Sequence, residues 1–378
     1  MSSAKGPLRG LGPASRALLV AGLTDTPLPV PGPDAFRDEA TVIADEGLAP
    51  VALALAGQGE GLHPETFEHL HGLTFQTQIR CMAAGLAARG VLRRIDELGI
   101  PSVVIKGPSV ERFHPAGWPR AYSDIDLLVA PRDFYAVVDE CHRAGFEDAV
   151  SRPPWPWFDL RCKEGVNIHG EDGGNLDIHH HVPPWAFGVD LDVDAAVAAS
   201  TWGDVAGVPV RLVSAPHSLV IASLHVLNDL WKGSLGLKSW RDILALLRHI
   251  GIDQAETTFV EMELGWLLDL VTNALAVHLP EAEVPVTRRH YRTPPVSRAR
   301  LAALGWSSDS ALSRLRATYV ARLPIPEAAA FLAGCAVPQR SWVRERNGSY
   351  MKYWGSLFSE ARSTIGGEDH RMKSLEGK

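Results

Sequence analysis

The sequence lacks any uninterrupted apolar run near the length of about 18 residues that a bilayer crossing needs, which excludes the classes built on membrane-spanning helices. It is poor in cysteine. Cys81, Cys141, Cys162 and Cys335 form no C-x-x-C pair, which excludes a disulfide-stapled scaffold or a cysteine-rich zinc finger and predicts free thiols in a reducing cytoplasm. It has no excess of basic charge either. Its 37 Lys and Arg face 44 Asp and Glu for a net charge of −7, which argues against a surface made to wrap nucleic acid while leaving a local basic site open. No G-x-x-x-x-G-K-[ST], G-x-G-x-x-G or G-x-S-x-G occurs, which speaks against P-loop, Rossmann and α/β-hydrolase chemistry, and no fixed-period repeat is present. What remains is a globular composition, 46% hydrophobic and 21% charged over 378 residues, enough to bury a large core.

Patterning divides the chain. Residues 1–33, rich in Gly, Pro and Ala, read as a mobile tail; Lys5, Arg9 and Arg16 imitate a signal peptide, but Asp25 interrupts the apolar stretch and no cleavage site follows. Residues 34–98 read as helical, with Leu86, Val91, Leu92, Ile95 and Leu98 on one face and Gly99 as the stop. From 99 to 213 the pattern becomes a mixed α/β core. A β-branched strand at residues 102–105 runs into Lys106-Gly107. A second at residues 123–129 ends at Pro131 and leads to a helix carrying Phe134, Val137, Val138 and Cys141. Residues 166–169 and 176–182 flank Glu171-Asp172-Gly173-Gly174, a hairpin signal, and Val208, Val210 and Leu212 alternate as one more strand. Ser214 and Pro216 open a helical region that extends to 365, with Trp240, Ile243, Leu244, Leu247 and Ile250 at helical spacing, and 366–378 is a polar tail. The fold class expected is α+β, a small mixed sheet flanked by two helical regions.

Asp124 and Asp126 are separated by one residue, which on a strand sends both carboxylates from the same face of an otherwise apolar run. Two like charges about 6–7 Å apart in such a setting call for a cation, and hard oxygen ligands suit Mg²⁺. The alternative is a solvated sheet edge. Asp177 shares a strand face with His179 and His181 and supplies a third carboxylate if the sheet places the two strands side by side.

The stretch Val104-Ile105-Lys106-Gly107, then Arg120-Ala121-Tyr122-Ser123-Asp124-Ile125-Asp126, then Leu176-Asp177-Ile178-His179 resembles the uncharacterised nucleotidyltransferases of the DNA polymerase beta superfamily. It is also similar to abortive-infection nucleotidyltransferase toxins. The resemblance covers about residues 84–250, and departs from the family pattern at Gly107-Pro108-Ser109, where proline removes a backbone donor. It implies metal-assisted transfer of NMP from an NTP. Asp124, Asp126 and Asp177 would be catalytic and hold Mg²⁺ or Mn²⁺, and Lys106, Gly107, Ser109, Arg120 and Ser123 would position the nucleotide. His179 would support Asp177. The acceptor expected is a small molecule or peptide, with tRNA or a protein side chain as the toxin-like alternative. A catalytically decayed nucleotide- or partner-binding module is a competing reading, opposed by the three intact acids.

Other signals carry less. His169, His179, His180 and His181 with Asp190 could bind zinc, although no H-E-x-x-H spacing occurs. Arg288, Arg289, Arg292, Arg298 and Arg300 could receive a phosphorylated or RNA acceptor or lie on a solvated surface. Trp155, Trp157 and Trp185 could line an acceptor pocket or anchor a core. His225 and Asp242 could pair between helices or touch substrate.

Overall fold

A computed structural model of the chain describes residues 8, 10–25, 28–59, 61–148, 155, 157–170, 174–182, 189, 191–232, 234–294 and 325–356. At its centre lies a seven-stranded mixed sheet. The strands are β1 (Ser102–Val104), β2 (Ile125–Val129), β3 (Phe146–Asp148), β4 (Gly165–Gly170), β5 (Asn175–His179), β6 (Thr201–Val205) and β7 (Val208–Leu212). Their order is β3-β4-β5-β2-β1-β7-β6, with β2 parallel to β5, β1 parallel to β7 and the other neighbours antiparallel. The fold is α+β. Among the described residues, no helix is long and apolar enough to cross a membrane.

Strand alternation sorts the sheet's side chains into two cores. Ile125, Leu127, Val129, Leu176 and Ile178 pack with Ala84, Ala88, Val91, Leu92 and Ile95 of α5 (Pro64–Glu97) and with Phe134, Val137 and Cys141 of α7 (Phe134–Arg143). Leu86 and Leu98, expected on the buried face of α5, are exposed instead, because the α5 contact uses the small residues Ala84, Gly85 and Ala88 for close approach to the sheet. The opposite sheet face, with Val103, Ile105 and Leu128, joins a larger helical core. Its main elements are α10 (Ala215–Lys232), α11 (Leu237–Glu261, broken in its regularity at Gly251) and α12 (Gly265–His278). Ser214, expected to cap α10, directs its hydroxyl to His217 Nδ1 at 2.8 Å.

The expected tail over residues 1–33 is corrected by α1 (Pro13–Val20), whose Leu18 and Leu19 are fully buried. Both ends of this helix are satisfied by distant side chains. Glu39 accepts from the Ala14 and Ser15 amides at 2.8 Å, replacing an ordinary N-cap. Arg241 of α11, itself buried, donates to the carbonyl oxygens of Leu18, Leu19 and Ala21 at 2.7–3.1 Å. Residues 1–7, the hairpin turn 171–173, Trp185, Asp190, Arg298, Arg300 and the expected tail 366–378 lie outside the described residues.

Candidate functional site

Parallel pairing of β2 with β5 sets Asp126 directly opposite Asp177. Alternation turns both, together with His179, away from α5 and toward the helical core. His179 Nε2 lies 3.1 Å from Asp126 Oδ1 and 3.2 Å from Asp177 Oδ2, and ligand atoms of all three residues fall within 4.8 Å of one another. From the turn after β1, Lys106 Nζ donates to Asp126 Oδ1 at 2.5 Å. The half-buried Lys106 ammonium and the buried His179 ring thus converge on one buried carboxylate.

The electrostatics follow from this crowding. Burial opposes ionisation of Asp126, but the Lys106 ammonium and the His179 ring outweigh it and hold the carboxyl well below the usual carboxylate range. Burial likewise works against charge on His179, and the Asp177 carboxylate with hydrogen bonds to Asp126 and Asp177 reverses that, lifting the imidazole to about 9. Lys106 is raised too, because Asp126 and Asp177 overcome its desolvation. Asp124 goes the other way. Burial, and then the nearby Asp126 charge, raise its carboxyl, and among the described residues none hydrogen-bonds or ion-pairs with it.

Asp124 is not on the strand. It occupies the bend just before Ile125, so the same-face strand pair expected with Asp126 is replaced by a turn that brings Asp124 and the exposed Ser123 to the wall of a cleft. The cleft, about 170 Å³ and partly open to solvent, lies between the sheet and the helices. Lys106, Gly107, Tyr122, Asp124 and Asp126 form the sheet side, and Ser218, His225, Lys238 and Ser239 the helical side.

Gly107 meets a steric demand. Its φ is +44°, and a Cβ there would sit 3.3 Å from the Tyr122 ring, so this turn into the short helix α6 (Pro108–Glu111) needs glycine. Ser109 is corrected from phosphate ligand to structural residue. It is fully buried, its hydroxyl donates to the Val104 carbonyl, and its amide closes on the Lys106 carbonyl.

Arg120 also departs from expectation. Its Nε and Nη2 clasp the Asp242 carboxylate at 2.8–3.0 Å, and His114 Nε2 joins the same carboxylate at 2.9 Å. All three side chains are buried. Arg120 therefore fixes the loop leading into Asp124 against α11, with its guanidinium already engaged. His225 does not pair with Asp242; its Nδ1 meets Asp229 Oδ2 at 3.2 Å and the Ser239 hydroxyl at 3.3 Å.

Lys238 and Ser218 are among the cleft residues missed by sequence reasoning. Lys238, near the start of α11, has no ion-pair partner among the described residues, and burial, then the Arg120 charge, lower its pKa. The Ser218 hydroxyl is buried without a hydrogen bond. Neither sits in a motif, and only the packing of α10 and α11 over the sheet brings them to the carboxylates.

The other candidates lie elsewhere. His169 meets Asn175 Oδ1 at 2.5 Å and the His180 ring packs edge-on against Phe134, so the strand histidines do not converge as a zinc set. Trp155 donates to the Val337 carbonyl at 2.9 Å and stacks on Trp157, which packs beside Phe158 near α13 (Ile325–Ala336); neither tryptophan lines the cleft. Arg288 is paired with Asp253.

Among curated proteins, none matches the chain. The family model described as "Uncharacterised nucleotidyltransferase" matches residues 37–278, which takes in α5, every strand of the sheet, the Asp126–Asp177–His179 group and both helices over the cleft. With more than half of its length matched across these elements, the chain belongs to the uncharacterised nucleotidyltransferase family.

Proposed function

We propose that the protein is a divalent-metal-dependent nucleotidyltransferase that moves NMP from an NTP to a hydroxyl or phosphate oxygen of an acceptor and releases pyrophosphate. The observation that carries this reading is the Asp124 carboxylate, crowded by Asp126 and Asp177, in a cleft whose other wall presents the Lys238 ammonium, neither of them hydrogen-bonded or ion-paired among the described residues. Crowded carboxylates favour a bound cation, and an unpaired ammonium favours phosphate.

The donor set fits Mg²⁺ or Mn²⁺, with Asp124 and Asp126 as hard oxygen ligands and Asp177 and His179 beside them. A cation bound there would neutralise triphosphate charge and polarise the α-phosphorus for in-line displacement. The chain's own residues do the rest. Lys106 and His179 keep Asp126 ionised, and Lys238 offers a point charge to the phosphates. As the acceptor oxygen bonds to the α-phosphorus, the bond to the bridging oxygen breaks and pyrophosphate leaves with the electron pair. The acceptor's proton passes to the Asp177 carboxylate. Arg120 acts at a distance, holding the Asp124 loop through Asp242.

The net charge of −7 supports a small-molecule or peptide acceptor over a nucleic acid. The free cysteines Cys81, Cys141 and Cys335 support a cytoplasmic setting. The test is pyrophosphate release from each of the four NTPs with Mg²⁺ or Mn²⁺, alongside calorimetric NTP binding. Release is expected from the wild type and is expected to fall by on the order of 10³-fold in Asp124→Asn/Asp126→Asn. Metal-dependent NTP binding without release under any acceptor tried would favour a binding module. Absence of both would overturn the reading.

A further inference from the structure

The long helix α5 carries a second pattern on the side away from the sheet. Phe67, Phe75, Ile79, Met82 and Leu86 are between 49% and 67% exposed, with the His71 ring stacked on Phe67. The spacing of three and four residues from Phe75 to Leu86 places Phe75, Ile79, Met82 and Leu86 on one stripe, about 16 Å long at 1.5 Å per residue. The run Phe75, Ile79, Met82, Leu86 alternates four, three, four, the spacing of a coiled-coil seam. A folded monomer rarely leaves so ordered an apolar row in water.

The charges that continue this stripe identify what covers it. Glu68 extends it toward the helix start, and Arg89 and Arg93 extend it toward the end. All three are exposed, and among the described residues none has an ion-pair partner. The stripe is thus acidic at one end, apolar in the middle and basic at the other. Such a surface is complementary to itself when reversed. Two copies of α5 crossing antiparallel bring Ile79 against Met82 and Phe75 against Leu86, and set Glu68 of each copy beside Arg89 and Arg93 of the other. A parallel pairing would stack arginine on arginine.

We infer that the protein is a two-fold symmetric homodimer assembled through an antiparallel pairing of the exposed face of α5. The arrangement is isologous, so each apolar and each ionic contact occurs twice. It leaves the cleft free, because the seam lies on the side of α5 opposite the sheet.

Sedimentation equilibrium of the full chain over about 1–100 µM tests this. The wild type is expected to dimerise, and Ile79→Asp, which buries carboxylates in the apolar centre, to be monomeric. Glu68→Arg is expected to raise the dissociation constant about tenfold, as is Arg89→Glu/Arg93→Glu. Combining them as Glu68→Arg/Arg89→Glu/Arg93→Glu is expected to restore dimerisation, since all ionic contacts return with reversed sign. The charge variants lie on the solvent face and decide the matter even if Ile79→Asp disturbs folding. A monomeric wild type overturns the inference, whether a different protein or residues 295–324 cover the stripe. So does a triple variant no tighter than Glu68→Arg alone.

Discussion

The guanidinium of Arg120 and the carboxylate of Asp242, 122 residues apart, form a buried clasp at 2.8–3.0 Å that ties the loop before Asp124 to the helix roofing the cleft. Breaking one side of a buried ion pair strands the other. Asp242→Asn is therefore expected to cost about 3–5 kcal/mol in chemical denaturation.

The same pair sets an acid dependence. Burial opposes charge on Asp242, but Arg120 and His114 hold its carboxyl far below the usual range. A depressed folded-state pKa contributes stability that is complete above the unfolded value of about 3.9 and is lost as pH falls toward the folded one. Wild-type denaturation midpoints are expected to drop between about pH 5 and pH 2, and Asp242→Asn to show a shallower drop over that window.

Asp124→Asn is expected to stabilise the metal-free protein by about 1 kcal/mol, because it removes a half-buried charge, without a hydrogen-bond or ion-pair partner among the described residues, from beside Asp126 and Asp177. The same variant is expected to lose the rise in melting temperature that Mg²⁺ gives the wild type. Thermal melts with and without Mg²⁺ read both effects. A destabilised metal-free variant would contradict this account of Asp124.

Lys238→Met is expected to weaken NTP binding about tenfold or more in calorimetry, with melting temperature unchanged or raised, since Lys238 has no ion-pair partner among the described residues to lose. Lys238→Arg keeps the charge and is expected to retain most of the affinity.

Gly107→Ala forces a side chain into positive φ and against the Tyr122 ring. A cost of about 1–2 kcal/mol is expected, read as a lowered melting temperature. Nucleotide affinity is expected to fall with it, because Lys106 is carried by the same turn.

Much of the fold was legible because its signals are local. The apolar runs of β1, β2 and β7 and the two strands around the hairpin declare themselves within a few residues, as does the α7 face from Phe134 to Cys141. In the candidate site, the relation of Asp126 to Asp177 was open to conjecture because both sit at alternating positions of strands. What stayed hidden depends on pairings remote in sequence. Nothing near Lys238 marks it as a cleft residue, and nothing near Ser109 shows that the Val104 carbonyl claims its hydroxyl. Leu86 misled because its periodicity is real but belongs to the outer stripe of α5. The opening helix misled because its caps come from Glu39 and Arg241, not from its own neighbours.

That last arrangement has a temporal side. The carbonyls of Leu18, Leu19 and Ala21 wait for Arg241, and the Arg16 guanidinium waits for Glu281, which it meets in a forked pair at 2.7 Å. During synthesis, α1 thus emerges long before it is completed, since about 220 to 265 further residues must appear before its partners exist. Its buried leucines stay exposed through that interval, so a nascent chain halted before α11 offers Leu18 and Leu19 to chaperones.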